Sequence, residues 1–231
     1  MQPLDIAAIA LFMLAWLGYA PVLRGRLHAG HKLNSNMAVI RAAWMHNMSR
    51  RANRFLDSQL LGHVISSASF FASSNLILIA ALTGALVGGA RTWNSLHSLP
   101  LVAHTEPLLL EFKLALVIAA LARSLLDFIW SIRQMNYCLA AIGAAPENPS
   151  PEQARAFGLA AADVINPALS SFSAGVRGYY FALAAGAWVL GPIPFMIVTV
   201  GATGLLIWRQ IASPAAGAVK RLRALVEAEE G

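Results

Sequence analysis

The feature that most restricts the fold of this chain is the length of its apolar segments. Residues 4–23, 60–87 and 108–139 are nearly continuous hydrophobic runs, and residues 171–208 form a fourth. About 20 apolar residues, at about 1.5 Å per residue, form a helix that crosses the hydrocarbon layer of a bilayer. A soluble core built from short elements does not need runs of this length. The sequence therefore predicts an all-α, polytopic membrane protein with a single membrane domain over residues 1–231.

The composition argues against an ordinary soluble domain. Hydrophobic residues make up 58% of the 231 residues and charged residues only 12%, against roughly 25% charged in an average soluble domain. A globular protein of this size leaves too much surface in water to hide so many apolar side chains. The lone cysteine, Cys138, excludes an internal disulfide and a cysteine-rich metal site.

The first apolar run resembles a signal peptide but is better interpreted as a retained span. It is longer than the roughly 7–15 residues of an ordinary signal core, and Asp5 is the only charge before it. Arg24 and Arg26 follow it directly, which is a stop-transfer pattern. We therefore expect residues 4–23 to remain in the membrane.

The last apolar run allows two interpretations. A Gly-Pro-Ile-Pro sequence at residues 191–194 interrupts it, and proline both removes a backbone donor and biases its predecessor away from helix. The run is either one proline-kinked helix, which gives four spans, or two spans at residues 173–190 and 193–210 joined by a tight turn.

The distribution of cations favours five spans. Residues 24–57 contain seven Lys or Arg and one acid, so the segment 24–59 is expected in the cytoplasm and the amino terminus outside. Five spans also place the tail at residues 211–231 in the cytoplasm, together with its cations, whereas four spans would place it outside. Because the cations adjoin apolar segments, the net charge of +6 indicates a cell (plasma or inner) membrane with anionic headgroups as partner, not nucleic acid.

An amphipathic helix is predicted before span two, over residues 36–59. Trp44, Met48 and Phe55 can share one face, so this helix lies in the headgroup layer or extends span two into the cytoplasm as one long helix. A further helix is expected to start at the Ser-Pro-Glu-Gln sequence of residues 150–153 and to break at Pro167.

Three ionisable residues fall inside the third apolar run, namely Lys113, Arg123 and Asp127. Arg123 and Asp127 are four residues apart and therefore share one helix face. A charge near the bilayer centre costs about 2.5–3.5 kcal/mol on insertion scales. The functional hypothesis is an ion or proton path, or an anion site at Arg123. The structural alternative is a buried pair that fixes helix register, or an arginine that extends to the interface.

The second apolar run carries a polar side made of His63, Ser66, Ser67 and Ser74, next to Asn75. Such hydroxyls can line a route for partly dehydrated ions, or they can permit close helix packing. The sequence contains no metal-ligand spacing, nucleophile elbow or phosphate-binding loop. We therefore predict neither a metal site nor catalysis, and no residue points to a particular cofactor.

A set of residues along most of the chain resembles an uncharacterised multi-pass membrane family, the domain of unknown function numbered 599. The resemblance rests on Asn36, Arg41, Trp44, Met45, Arg54, Asp57, residues 69–73, Phe112, Lys113, residues 131–137 and 177–181, Trp188 and residues 191–192. It implies a helical membrane fold without an assigned reaction. It also suggests a cytoplasmic charged cluster made of Arg41, Trp44, Arg54, Asp57, Arg133, Asn136, Tyr137 and Arg177.

Three functional hypotheses remain at the level of sequence. The first is a small channel or transporter that assembles as a homo-oligomer, because five spans alone enclose little volume. The second is a non-catalytic structural or assembly subunit of a larger membrane complex. The third is a membrane enzyme that acts on a lipid at the basic interface.

Overall fold

A computed structural model describes the backbone of residues 2–26, 33–88 and 106–229 and the side chains of residues 2–19, 33–88 and 106–228. Within these ranges every regular element is a helix, which confirms the all-helical prediction. Residues 27–32 of the basic segment, with Lys32, and residues 89–105 between the second and third apolar runs, with Arg91, lie outside the described residues.

The helices follow the predicted apolar runs closely. They are α1 (Pro3–Arg26), α2 (Leu33–Arg50), α3 (Phe55–Val87), α4 (Pro107–Ala144), α5 (Pro151–Ala187), α6 (Pro192–Ile211) and α7 (Pro214–Glu229), with a short 3-10 turn at Trp188–Leu190 before α6. Two helical stretches are long and apolar enough to cross a membrane. They are Phe55–Val87, with a mean hydropathy of 1.9, and Pro192–Ala228, with a mean hydropathy of 1.5.

The residue contacts divide the chain into two compact units. The first comprises Met1–Arg26, Ser73–Leu126 and Gly175–Ile207, and the second comprises Leu27–Ala72, Asp127–Ala174 and Trp208–Gly231. The boundaries fall inside α3, α4, α5 and α6, so neither unit is one continuous piece of chain.

The core of the first unit shows that α5 and α6 form a hairpin. The ring of Phe12 lies 6.1 Å from that of Phe181 in α5 and 5.2 Å from that of Phe195 in α6. In one straight helix those two residues would stand about 21 Å apart. The chain reverses at Gly191, whose φ of 128° favours glycine. The predicted tight turn is confirmed and the single kinked helix is wrong, whereas the two membrane spans on either side of the turn stay a prediction.

The core of the second unit joins α2, α3, α4 and the first half of α5. Phe71 of α3 stacks on Phe128 of α4 with ring centroids 5.6 Å apart, and Phe172 of α5 packs edge-on against both. The fully buried members of this core are aliphatic or sulfur-containing: Met45, Met48, Leu61, Ala68, Met135, Cys138, Ile165 and Ala168.

The helix predicted over residues 36–59 is interrupted, so the alternative of one long helix continuous with span two is wrong. α2 ends at Arg50 and α3 begins at Phe55. The side chain of Asn53 accepts a hydrogen bond from the backbone N–H of Phe55 at 2.9 Å, which satisfies a free donor at the start of α3. A separate helix before the second apolar run does exist, as predicted.

Pro167 does not end its helix, contrary to the sequence expectation, because α5 continues from Pro151 to Ala187. Tertiary contacts hold the turn on both sides of the proline. Asn166 donates to the carbonyl of Ala38 at 3.3 Å, and Ser131 donates to the carbonyl of Ala168 at 2.7 Å. These contacts do not replace the backbone hydrogen bond that proline removes, but they anchor the helix on both sides of Pro167. The predicted start is confirmed, since Ser150 and Gln153 form a reciprocal capping box.

Candidate functional site

The polar side predicted on α3 is a surface-exposed face of that helix. His63, Ser66 and Ser67 are exposed, and Ser74 is half-buried. Ser67 donates to the carbonyl of His63 at 3.0 Å, a local bond that leaves the hydroxyl oxygen able to accept. The exposure of these three side chains shows that this face has little cover from the rest of the described chain.

Asn75 is separated from that face. It is fully buried, and neither its amide nitrogen nor its amide oxygen has a hydrogen-bond partner among the described residues. At about 100° of helix rotation per residue, Asn75 lies 120° from His63, on the side of α3 that faces the core of the first unit. The structure therefore divides the predicted polar set into an exposed hydroxyl face and one buried amide.

Arg123 and Asp127 lie one turn apart on the continuous helix α4, as predicted. Arg123 is exposed and Asp127 is half-buried. An exposed arginine in the middle of an apolar helix needs water, a headgroup or another protein surface around its guanidinium. Its role in an ion or proton path stays a prediction.

Lys113 is the centre of a buried polar site that includes two residues missed by sequence reasoning. Its side chain is 2% exposed, and its ammonium lies 5.7 Å from the centroid of the Trp188 ring. The indole N–H of Trp188 donates to Asp5 at 2.9 Å, and Asp5 also attracts Lys113 electrostatically. The site therefore holds a cation, an aromatic face and an anion together in the first unit.

We expect Lys113→Met to destabilise the protein by about 1–2 kcal/mol, because the buried Asp5 carboxylate loses its cation but keeps the hydrogen bonds from the Trp188 indole and the Gln2 N–H. The double variant Lys113→Met/Asp5→Asn should recover more than half of that loss. Thermal unfolding in detergent measures both effects, with the exposed Lys220→Met as the matched control. Strictly additive effects would contradict the pairing of Lys113 with Asp5.

The predicted cytoplasmic cluster forms only in part, around Asp57. This carboxylate is fully buried, and its Oδ1 accepts from the indole N–H of Trp44 at 2.7 Å and from Arg51 at 2.5 Å. Oδ2 is buried and has no partner among the described residues. Trp44 and Asp57 were predicted to meet, and Arg51 was missed because the sequence offers three similar arginines at residues 50, 51 and 54.

Arg54 contributes to the cluster region in a different way from that predicted. Its guanidinium donates to the carbonyls of Ala145 at 3.0 Å and Pro146 at 2.6 Å, just beyond the end of α4. It also reaches the carbonyls of Met48 and Ser49 in the last turn of α2, at 3.4 Å each. Arg54 thus caps two helix C-termini, where carbonyl groups lack partners and favour a cation.

The other predicted members do not join Asp57. Arg133 donates to the hydroxyl of Tyr137 at 2.6 Å on an exposed part of α4, and Asn136 is exposed beside them. Arg41 donates to Asn34 at 3.5 Å, and burial lowers the pKa of its guanidinium. Arg177 belongs to the first unit, where its guanidinium lies 5.6 Å above the ring of Tyr19.

No group of three or more metal-ligating side chains occurs among the described residues. The fold and its polar sites therefore define a protein of long, largely apolar helices with two buried polar sites, one around Lys113 and one around Asp57.

The chain belongs to a family described as "Protein of unknown function, DUF599", whose profile matches residues 7–215. A search of curated proteins and a search of solved structures each found no match.

Proposed function

We propose that this chain is an integral membrane protein with five spans, that it forms a homo-oligomer, and that the exposed polar face of α3 lines a route for ions or small polar solutes. The spans are α1, α3, α4, the second half of α5, and α6. The hairpin at Gly191 supports this topology, because an extra crossing brings the basic residues 24–54 and the basic tail to the same, cytoplasmic side.

The observation that carries the functional proposal is the exposure of His63, Ser66 and Ser67 on a helix that is long and apolar enough to cross a membrane. Lipid tails offer these groups no hydrogen-bond partner. A second copy of α3 would cover them, and several copies around one axis would enclose a hydroxyl-lined route. The amino terminus is then outside and the carboxyl terminus is cytoplasmic.

A non-catalytic subunit of a larger membrane complex is the alternative that the same observation supports, since another chain could cover the exposed face. A membrane enzyme that acts on a lipid has less support. Among the described residues, no acid or base lies in a pocket with a nucleophilic side chain beside it. The two better-supported functions differ in what covers α3, and this difference can be measured.

We expect Ser66→Cys to react with a membrane-impermeant charged thiol reagent at least tenfold faster than Leu205→Cys. Both positions are exposed and lie at similar predicted depth, but Leu205 faces out from the apolar helix α6. The native Cys138 is fully buried, so the unlabelled parent provides the background.

Native mass spectrometry in mild detergent should give a homo-oligomer, and vesicles containing the protein should release K⁺ or Cl⁻.

Two results would overturn the proposal. If the protein is a monomer and Ser66→Cys does not react with the thiol reagent, there is neither a homo-oligomer nor a water-accessible route along α3. A stable complex with other chains, together with vesicles that retain their ions, would favour the subunit alternative. Replacement of Ser66 and Ser67 together by leucine should abolish the release of ions while leaving the oligomer intact.

A further inference from the structure

The carboxyl-terminal helix α7 is a separate helix and not a continuation of α6. α6 ends at Ile211 and α7 begins at Pro214. The hydroxyl of Ser213 accepts the backbone N–H of Ala216 at 3.1 Å, and proline occupies the first helical position, which together form a standard helix start. A break at Ala212 and Ser213 therefore separates α7 from the apolar helix α6.

One face of α7 packs against α2 in the second unit. Ala216 is 5% exposed, and Arg223 donates to the side-chain oxygen of Asn36 at 3.1 Å. Asn36 is itself 2% exposed. Arg223 also pairs with Glu227 at 2.8 Å. Both side chains therefore take part in the contact that orients α7.

A neighbouring face of α7 has no cover from the described residues. Leu222 is 52% exposed and Leu225 is 64% exposed, and the three-residue spacing places them side by side. Arg221 is exposed one turn before Leu225, and Lys220 is exposed next to it. Adjacent leucines with flanking cations are typical of helices that lie in the interface of an anionic membrane.

We propose that α7 lies on the membrane surface, with Leu222 and Leu225 in the acyl boundary and with Arg221 and Lys220 on anionic phospholipid headgroups. This proposal rests on the proposed function, because it requires α6 to be a span. α7 begins three residues after α6 ends, so about 10 Å of chain keeps it near the bilayer surface. Charge complementarity selects anionic lipid, since long cationic side chains extend to phosphates while their stems cover apolar surface.

The test uses the full chain in lipid nanodiscs with an environment-sensitive dye on single introduced cysteines. In discs containing phosphatidylglycerol, a dye at Leu225→Cys should be quenched by spin-labelled lipid at least threefold more than one at Ala224→Cys. Ala224 is exposed on the same helix but points about 100° away from Leu225. In pure phosphatidylcholine, or with Lys220→Gln/Arg221→Gln, quenching at Leu225→Cys should fall by at least half.

A dye at Ile197→Cys, an exposed position in α6, separates failure of this proposal from failure of the proposed function. If Ile197→Cys is quenched and Leu225→Cys is not, α6 is in lipid and the surface role of α7 is overturned. If neither is quenched, membrane insertion itself fails. A Leu225→Cys dye that is shielded from water but insensitive to lipid quencher indicates a protein partner on this face and also overturns the proposal.

Discussion

Gly158→Ala should lower the free energy of unfolding by about 2 kcal/mol, although alanine is the better helix former by up to about 1 kcal/mol. A Cβ at Gly158 in α5 would lie 2.6 Å from the Cα and 3.0 Å from the nitrogen of His46 in α2. Both are backbone atoms, so no side chain can rotate away and the two helices must separate. Overpacking of this kind costs about 1–3 kcal/mol, and occasionally more.

The matched control is Gly186→Ala in the same helix, where an added Cβ meets no atom within 4 Å. This variant should be neutral or up to about 1 kcal/mol more stable, because only the helix propensity changes. The measurement is thermal unfolding in detergent, in which 1 kcal/mol corresponds to about 2–4 °C for a chain of this size. If Gly158→Ala and Gly186→Ala unfold at the same temperature, α2 and α5 are not in backbone contact.

This close approach is one of the features that the sequence could not reveal. A lone glycine in a helical pattern is compatible with a turn, a cap or a crossing, and nothing local distinguishes them. The helices themselves were predictable, because apolar runs of 20 or more residues have few other stable states. The hairpin at residues 191–194 was also predictable, since two prolines and the distribution of cations pointed to the same turn.

The buried polar contacts could also be predicted only in part from the sequence. Lys113 and Asp127 were recognised as unusual because each is a charge within an apolar run. Lys113 is partnered by Asp5, which is 108 positions away, and by Trp188, which is 75 positions away. A single sequence carries no signal for pairing over such distances. The helix break predicted at Pro167 was wrong for the opposite reason. The local rule that proline ends a helix is correct, but tertiary hydrogen bonds from Ser131 and Asn166 outweighed it here.

Asp57→Ala should destabilise the protein by about 3 kcal/mol, the largest effect that we expect from any single change. Two donors converge on one buried oxygen of Asp57. Hydrogen bonds to a charged group contribute about 1.5–3 kcal/mol each. Arg51 is 43% exposed and can be hydrated when its partner is removed. The loss of its hydrogen bond therefore contributes less to the destabilisation. The indole of Trp44 would lose the acceptor that it has among the described residues, and α2 would be released from the start of α3.

Asp57→Asn separates charge from hydrogen bonding in this contact. The amide keeps an acceptor at the position of Oδ1 and places its nitrogen where Oδ2 has no partner among the described residues, so the loss should fall to about 1 kcal/mol. Asp163→Ala, an exposed acid on α5, should change the unfolding temperature by less than about 2 °C. If Asp57→Asn is as harmful as Asp57→Ala, the charge itself stabilises the start of α3. If both variants match the parent, Asp57 does not hold α2 against α3, and the exposed face of α3 is positioned by apolar packing alone.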